Sequence, residues 1–371
     1  MRIGIDARFY GPVGKGLGRY TARLIEHLEH ILPEGDECVV FLRRENFDAY
    51  TPKHPGFRKV MADYPWYSFQ EQILFPFILR KHRLDIMHFI HFNVPLLYRR
   101  PFVVTIHDLI LIRYPTARNT TRSAMTYWVK FLAYRLAIGS AVRRARKILT
   151  VSHFTERDII TEYPASAGKI VVAYQGCDLP ESPSGKAFSD TNRAILKPYF
   201  LYVGNAYPHK NLEAFIPLAK RFPDVRFVLV GREDYFYGRL KQAVRRAGAK
   251  NIVFTGFVPD EELVSLYRDA TGYIFPSLYE GFGLPSLEAM RLGTPVIASN
   301  RGSIPEVLGD GAIFFDPDKK GALSDAVQRL LDDESLAALL SQKGRKRASN
   351  YRWEDLASET LRTYRDAGYE S

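Results

Sequence analysis

Short apolar runs alternate with longer amphipathic stretches along this chain. In the first half, the residues between the runs repeat apolar positions at helical spacing, as Leu17, Tyr20, Leu24 and Leu28 do over 17–32. The runs themselves predict strands at 3–6, 38–42, 84–89, 102–106 and 147–151. Strands separated by helices form βαβ units, so the pattern predicts a parallel sheet in an α/β domain.

The alternation stops over residues 176–192, which have turn chemistry and no periodicity, and then starts again. Further strands are predicted at 199–204, 225–231, 252–256, 273–276 and 295–298. We therefore predict two doubly wound Rossmann-like domains, which would hold a ligand in a cleft between the carboxyl ends of their sheets. The predicted parts are a first domain over 1–178, a linker over 179–198, a second domain over 199–350 and a C-terminal helix over 351–371.

Composition indicates a globular protein that folds without disulfides. Of the 371 residues, 46% are hydrophobic and 25% are charged, which excludes a disordered chain. Cys38 and Cys177 are too few for a disulfide framework and predict a reducing compartment. The N-terminus lacks a signal-peptide core, and no apolar run of about 18 residues occurs. The sequence therefore predicts a cytoplasmic protein, with a peripheral position on the inner face of the membrane as a further hypothesis.

Positive charge is concentrated in the first half of the chain. Residues 1–180 contain 26 Lys and Arg against 16 Asp and Glu, a balance of +10, whereas residues 181–371 contain 26 against 25. Anionic phospholipid and a pyrophosphate-bearing acceptor are partners that suit this charge. Nucleic acid is a third, but no recognisable nucleic-acid-binding module accompanies the charge, so we predict no nucleic-acid partner.

A basic amphipathic stretch runs from Arg118 to Lys147 and has two interpretations. Cations such as Lys130 lie among aromatic and aliphatic residues such as Trp128 and Leu136. The simpler interpretation is a pair of helices that pack on the sheet. The other is contact with an anionic membrane surface.

The densest chemistry lies just after the predicted strand 273–276. Gly281 and Gly283 form a turn that leads into a predicted helix over 286–293. A strand, a glycine turn and a helix start together present backbone N–H groups to an anion. Glu280 on the turn and Glu288, placed about two turns into the helix, add carboxylates that can accept hydrogen bonds from hydroxyls. The stretch therefore predicts a site for a phosphate together with a sugar or ribose.

Residues 276–290, with their glutamates at 280 and 288, resemble the E-x7-E signature of the retaining glycosyltransferases of family 4. The resemblance implies the GT-B fold, in which two Rossmann-like domains face each other across a cleft and a C-terminal helix returns to the first domain. It also implies that Glu280 holds the hydroxyls of the donor sugar and Glu288 the ribose. The backbone of Gly281, Phe282, Gly283 and Leu284 would then bind the donor diphosphate.

Lys210 is the next predicted site residue. It follows a strand that ends at Gly204 and stands before a helix predicted to begin at Asn211, where an ammonium and a helix dipole would clamp a pyrophosphate. This segment resembles the family's strand-Gly-x5-Lys element. Asn205 stands where many members have Arg, so Arg232 is a candidate for the missing charge.

The remaining predicted positions come from strand ends and from the resemblance. His107 follows the strand 102–106 and matches the family's His-Asp motif, whose histidine faces the donor sugar. Gly16 and Gly18 resemble the family's N-terminal glycine-rich loop near the donor phosphates, and the main chain near Val258 would meet the nucleobase. Two further histidines, His88 and His91, are predicted to be structural or to lie on the acceptor side.

Together these features predict a retaining glycosyltransferase with His107, Lys210 and Glu280 as catalytic residues. No enzymatic nucleophile is evident, so a front-face mechanism without metal or other cofactor is expected. The predicted donor is GDP-mannose, with UDP-sugars next, and the acceptor is a glycan or a lipid-linked saccharide. The alternatives are a catalytically silent nucleotide-sugar-binding protein, a GT-B sugar-nucleotide epimerase, a phosphorylase and a nucleic-acid-binding protein.

Overall fold

The computed structural model of the protein describes residues 1–115, 124–178 and 197–369. Arg118 and Arg122 of the basic stretch, and residues 179–196 of the predicted linker, lie outside the described residues. The described chain forms two compact units. The first contains residues 1–113, 124–176 and 352–369, and the second contains residues 114–115, 177–178 and 197–351.

Each unit contains one parallel sheet. In the described part of the chain the strands are β1 (Arg2–Asp6), β2 (Glu37–Leu42), β3 (Phe57–Met61), β4 (Ile86–Phe89), β5 (Phe102–Ile106), β6 (Lys147–Thr150), β7 (Ile170–Val172), β8 (Tyr199–Val203), β9 (Arg226–Val230), β10 (Ile252–Gly256), β11 (Gly272–Phe275), β12 (Val296–Ser299) and β13 (Ala312–Phe315). The order is β3-β2-β1-β4-β5-β6-β7 in the first unit and β10-β9-β8-β11-β12-β13 in the second. The predicted doubly wound α/β architecture is confirmed.

The helices of the described chain connect these strands. They are α1 (Lys15–Ile31), α2 (Phe69–Lys81), α3 (Ile110–Arg113), α4 (Ala124–Arg144), α5 (His153–Glu162), α6 (Phe215–Arg221), α7 (Tyr235–Ala247), α8 (Asp260–Asp269), α9 (Leu284–Arg291), α10 (Ile304–Leu308), α11 (Ala322–Asp332), α12 (Glu334–Ala348) and α13 (Trp353–Tyr369). One interpretation of the basic stretch was a pair of helices. Its described residues instead form the single 21-residue helix α4. None of these described helices has the length and apolar character needed to cross a bilayer.

The sheets are buried on both faces, which explains their continuous apolar runs. All five residues of β5 are buried, and so are all four of β11 and of β12. The edge strand β3 is different, because its inner positions Arg58 and Lys59 are only half-buried. A strand of this composition gives no apolar run, so the sequence pattern did not predict it.

The C-terminal helix α13 belongs to the first unit and packs against α1. Trp353 at its start is buried, and Gly176 lies so close to the indole that a Cβ at 176 would come within 2.4 Å of it. Near its end, the Ala367 carbonyl accepts a hydrogen bond from Arg146. The helix therefore closes one side of the first sheet.

Candidate functional site

The strand order reverses between β8 and β11, which are neighbours in the second sheet. Loops that leave the carboxyl ends of two such strands diverge to opposite faces and leave a crevice where open α/β sheets bind ligands. Lys210 follows β8 and Glu280 follows β11. The two most important predicted residues of this unit therefore lie at its topological switch point.

Lys210 and Glu280 contact each other directly. The Lys210 ammonium donates a hydrogen bond to Glu280 Oε1 at 2.6 Å, and their side chains are 16% and 8% exposed. A largely desolvated ion pair is poor evidence for stability but holds its charges in a defined place. An ammonium has three N–H donors, so this contact leaves two that can point at an anion.

The backbone around Lys210 differs from the prediction only in detail. Residues Pro208–Lys210 form a 3-10 turn, and Asn211 adopts a left-handed conformation with φ of 56°. Asn211 is the N-cap of a 3-10 segment over Leu212–Ala214 that runs directly into α6, so helical structure begins within one residue of the predicted start at 211. Lys210 therefore directly precedes the N-terminus of a helical segment, as predicted.

The Lys210 turn is fastened to the loop that contains Glu280. Leu278 N–H donates to the His209 carbonyl at 2.7 Å, and the Asn211 side-chain amide donates to the Pro276 carbonyl at 3.3 Å. His209 itself is buried, and burial together with the neighbouring ammonium lowers its pKa to about 4. A neutral imidazole here adds no competing positive charge beside Lys210.

A second pair of residues holds the turn of Glu280 from the other side. Ser303 donates from its hydroxyl to the Glu280 carbonyl at 3.0 Å and from its N–H to the same oxygen at 3.2 Å. Gly302 has φ of 63°, and a Cβ there would meet Glu280 N at 2.8 Å. Sequence reasoning missed these two residues, because they lie more than twenty positions downstream on another loop.

The glycine turn reaches its helix earlier than predicted. Gly283 has φ of 98° and directly precedes α9, so Leu284 is already helical. A Cβ at 283 would also come within 2.9 Å of Phe275, which leaves glycine as the residue that fits. Gly281 and Phe282 are buried in the turn itself.

Glu288 is the fifth residue of α9 and so lies about one turn into the helix, not the predicted two. Its side chain is 3% exposed and accepts a hydrogen bond from the Tyr267 hydroxyl at 3.1 Å. A buried carboxylate held by a phenol is well oriented to accept hydrogen bonds from a diol.

The other predicted donor residues of this unit follow β8 and the two strands beyond it, β9 and β10. Asn205 Oδ1 accepts from the Tyr207 N–H at 3.4 Å, so this side chain serves its own turn. Arg232 follows β9 and is exposed, with its guanidinium 5.6 Å from the ring centre of Phe257. Val258 follows β10 and is buried. All of them lie at the same edge of the sheet as Lys210.

Gly16 and Gly18 lie in the first unit, within the first turns of α1 and not in a loop before it. Gly16 is exposed, and a Cβ there would meet nothing within 4 Å. Gly18 is buried, and a Cβ there would come within 2.0 Å of the Gly11 carbonyl. The absence of a side chain at Gly18 therefore makes room for the protein's own backbone, whereas the space beside Gly16 is open.

His107 is placed at the carboxyl end of β5 by two contacts. Its Nε2 lies 3.1 Å from the Ile90 carbonyl, so Nε2 carries the proton and donates, and Nδ1 is an acceptor. The Tyr20 ring packs edge-on at 4.7 Å. Burial lowers the pKa of His107 to about 4, with the Ile90 contact opposing the shift. The imidazole is therefore neutral at pH 7.

His88 has the structural role that was one of its two interpretations. It is fully buried, with Nδ1 2.6 Å from the Tyr364 hydroxyl and Nε2 2.7 Å from the Thr105 hydroxyl. These contacts join β4 and β5 to the C-terminal helix α13. Neither nitrogen is left for a ligand.

No three His, Cys, Asp or Glu side chains come together as a metal site in the parts of the chain that the structure describes.

Comparison with known families identifies the chain. Residues 14–181 match the family model described as Glycosyltransferase Family 4, and residues 186–347 match the model described as Glycosyl transferases group 1. The chain belongs to the glycosyltransferases of family 4.

Among similar proteins, O-antigen chain mannosyltransferase B of Escherichia coli is 29% identical over 94% of this glycosyltransferase and 96% of its own length. O-antigen chain mannosyltransferase RfbU of Salmonella typhimurium is 28% identical over 71% and 70%. Among solved structures, sucrose-phosphate synthase from Thermosynechococcus elongatus matches with a TM-score of 0.78 at 22% identity, over 99% of this chain and 98% of that one. This likeness confirms the predicted GT-B fold.

Replacing Glu288 by alanine in this glycosyltransferase is expected to raise the KM for the nucleotide-sugar donor roughly 10- to 100-fold, as loss of a hydrogen bond to a charged group does. The kcat at saturating donor should change little, because the ribose is remote from the bond that breaks. Initial rates over a range of donor concentrations measure both constants. Glu213→Ala, an exposed glutamate of the same unit, is the control, and an unchanged KM in Glu288→Ala would contradict the ribose assignment.

Substitutions of His88 and His107 are expected to have opposite effects: the first should lower stability and the second should lower kcat. His88→Ala removes a buried hydrogen-bond partner from the Thr105 and Tyr364 hydroxyls and should lower the free energy of unfolding by about 1–3 kcal/mol, with kcat of the folded enzyme retained. His107→Ala should lower kcat with little change in Tm. Thermal melts and initial rates on both variants decide this, and a collapse of Tm in His107→Ala would make that histidine structural.

Acid is expected to destabilise the first unit through its buried histidines. Burial lowers the pKa of His88 and His91 to about 3 and that of His107 to about 4, against 6.5 when unfolded. Below pH 6.5 the unfolded chain binds protons that the native state does not, so stability falls as pH falls, by about 1.4 kcal/mol per pH unit for each histidine. Melting between pH 7.5 and 5 tests this. His88→Gln should show a shallower slope, and an equal slope would contradict it.

Proposed function

We propose that this glycosyltransferase moves a hexose, with mannose favoured, from a nucleotide sugar to a glycan or a lipid-linked saccharide, and that it retains the anomeric configuration. GDP-mannose is the first candidate donor and UDP-sugars are the second. The choice of mannose is supported by the two mannosyltransferases to which the chain is similar. The observation that carries the proposal is the Lys210–Glu280 pair at the switch point of the second sheet.

Glycosyl transfer needs stabilisation of charge that develops as the glycosyl–phosphate bond breaks. Positive charge grows at the anomeric carbon and negative charge grows on the leaving diphosphate. Lys210 supplies a fixed cation for the diphosphate, and the start of α9 after Gly283 supplies oriented N–H groups. Glu280 is held beside that cation and binds the sugar hydroxyls. The two side chains together therefore fix the position of the sugar relative to the diphosphate.

Retention of the anomeric configuration is the part of the proposal that concerns the mechanism. Retention without an enzymatic nucleophile requires attack on the same face that the diphosphate leaves, and the departing phosphate then takes the acceptor proton. His107, neutral and fixed through Nε2, contributes an acceptor nitrogen for a donor-sugar hydroxyl. Because protein cations and dipoles stabilise the diphosphate, the transfer is proposed to proceed without a metal ion.

A donor panel tests this function. The protein is incubated with GDP-mannose, UDP-glucose, UDP-galactose and UDP-N-acetylglucosamine, each with and without saccharide acceptors, and nucleotide release and product are measured. We expect GDP release from GDP-mannose, an unchanged rate in EDTA, and an α-linked product by NMR. Nucleotide binding without release would indicate a silent sugar-nucleotide sensor, and an acceptor-independent change of the sugar would indicate an epimerase.

Contact with an anionic membrane surface is the second part of the proposal. Four apolar side chains on one side of α4, Trp128, Val129, Leu132 and Leu136, are 53–67% exposed. On α2, Phe69 and Phe77 are 87% and 55% exposed. The two helices are joined, because Arg144 of α4 donates to the Tyr98 carbonyl and the Gln72 side chain of α2 accepts from the Leu96 N–H. Exposed cations accompany them, among them Arg80, Lys81, Arg99, Arg100, Lys130 and Arg143.

Apolar residues flanked by cations are the composition of a surface that lies in an anionic lipid interface. Sedimentation with vesicles of phosphatidylglycerol and phosphatidylcholine should capture the protein, and vesicles of phosphatidylcholine alone should capture less. The double variant Leu132→Glu, Leu136→Glu should stay in the supernatant, whereas the control Leu339→Glu, which changes an exposed leucine of the second unit, should sediment as before. Equal capture of all three proteins would contradict the membrane contact.

A further inference from the structure

The first sheet has a topological switch point of its own. β1 and β4 are neighbours although they are not consecutive strands. Residues that follow β1 and β4 therefore flank a crevice of the kind in which open α/β sheets bind ligands. Phe9 follows β1, and His91 and Phe92 follow β4. Of these three, only His91 has been named above, as a structural or acceptor-side residue.

Five rings gather at this place, and we call them the aromatic cluster: Phe9, Trp66, Tyr67, His91 and Phe92. Phe9 and Trp66 are stacked with ring centres 4.3 Å apart and planes 3° apart. His91 lies 5.5 Å from Phe9 and 4.0 Å from Phe92. Tyr67 packs against His91 and Phe92 at 6.4 and 6.3 Å, yet remains 64% exposed. The cluster thus has a fixed base and one open aromatic ring.

A buried charge network fixes the three segments that supply these rings. Arg8 is fully buried, with Nε and Nη2 each 2.7 Å from an Asp6 carboxylate oxygen and Nη2 2.6 Å from Glu71 Oε1. The other Glu71 oxygen accepts from the Asn93 amide at 2.7 Å and from the Tyr67 N–H at 2.7 Å. Buried ion networks contribute little net stability, but they impose geometry.

Tyr67 is held in a backbone conformation that it would not adopt by preference. Its φ is 60°, in the left-handed region that costs a non-glycine residue of order 1–3 kcal/mol and that clusters at ligand sites. The Glu71 contact to its N–H maintains this conformation. This strained conformation directs the aromatic side chain of Tyr67 outward beside His91.

Two ring nitrogens of the cluster lack partners. His91 Nδ1 and Trp66 Nε1 are buried and make no hydrogen bond within the described ranges 1–115, 124–178 and 197–369. Unpaired buried polar atoms are uncommon and require an explanation. Burial also lowers the pKa of His91 to about 3, so at neutral pH this ring is uncharged and suits a neutral hydroxyl.

We propose that the aromatic cluster binds a sugar ring of the acceptor, with Tyr67 stacking on its C–H face and His91 hydrogen-bonded to a hydroxyl. Exposed aromatic faces beside a few fixed polar atoms match the mixed apolar and hydroxylated surface of a saccharide. The placement fits transfer, since His107 donates to the carbonyl of Ile90, which directly precedes His91. The inference rests on the proposed function insofar as the saccharide is an acceptor.

The test uses the full chain and saturation-transfer-difference NMR with soluble saccharides: methyl α-mannoside, mannobiose, methyl α-glucoside and N-acetylglucosamine. At least one should receive saturation from the wild-type protein. Tyr67→Ala should weaken its binding, and raise its KM as acceptor, roughly tenfold, while Tyr67→Phe keeps the ring and stays within about twofold of wild type. Tyr235→Ala, which removes a 51% exposed tyrosine of the second unit, is the matched control.

Separate measurements keep this inference distinct from the donor assignment. GDP binding by calorimetry and acceptor-independent release of GDP from GDP-mannose should be equal in wild type and Tyr67→Ala. If a saccharide binds equally well to both proteins, or if none of the four binds while GDP-mannose is hydrolysed, the cluster is not an acceptor site and the proposed function stands. If saccharide binding depends on Tyr67 but no nucleotide binds, the proposed function fails and the saccharide site stands.

Discussion

Alanine at position 210 is expected to lower kcat roughly 10²–10³-fold, the loss of about 2.7–4 kcal/mol seen when one donor to a developing anion is removed. The Lys210 ammonium is the cation that the structure holds at the switch point, 2.6 Å from Glu280. Without it the leaving diphosphate loses a charge partner in the transition state. Binding of GDP, the proposed product, should weaken as well, since GDP carries the same diphosphate. Initial rates and calorimetry with GDP measure the two effects.

Two controls distinguish the loss of the Lys210 charge from a loss of the folded structure. Lys220→Ala removes an exposed lysine of the same unit and should leave both measurements unchanged. The Tm of Lys210→Ala must also be compared with wild type, because the variant leaves Glu280 without its ion-pair partner. Near-wild-type turnover in a folded Lys210→Ala protein would show that the diphosphate is stabilised elsewhere.

Glutamine at position 280 is expected to lower kcat roughly 10²-fold, again on the scale of one transition-state contact. Unlike alanine at position 210, however, it should not weaken the binding of GDP. The amide keeps the shape of the side chain and an oxygen for Lys210, yet it no longer neutralises the ammonium. GDP should therefore bind as tightly as before or more tightly. Calorimetry with GDP beside steady-state rates distinguishes a sugar-binding Glu280 from a phosphate-binding Lys210. If GDP binding weakened in both variants to the same extent, the two residues would act as one structural unit.

Apolar runs were enough to predict most strands and the parallel topology, because strands buried on both faces are continuous in hydrophobicity. The glycine turn before α9 was also readable, since Gly283 at φ of 98° needs a residue without a Cβ. The same pattern missed β3, an edge strand with Arg58 and Lys59 at its centre. Its position depends on pairing with β2, which local composition does not encode.

The Lys210 turn shows where local pattern fails within the site. Polar and apolar spacing after Lys210 favours a helix, and helical structure does begin at Leu212, but the spacing does not predict that Asn211 is left-handed or that its side chain donates to the Pro276 carbonyl. That contact joins residues 65 positions apart, so tertiary structure determines the backbone there. The roles of Gly302 and Ser303, and the aromatic cluster around Tyr67, have the same origin. Each depends on residues that only the folded sheet brings together.

The proposed function depends on where a diphosphate binds, so its most direct test is a crystal structure of the full chain with GDP. We predict the β-phosphate within about 2.7–3.1 Å of Lys210 Nζ, with further oxygens against backbone N–H groups between Gly281 and Leu284. A well-ordered diphosphate that contacts neither Lys210 nor that turn would contradict it.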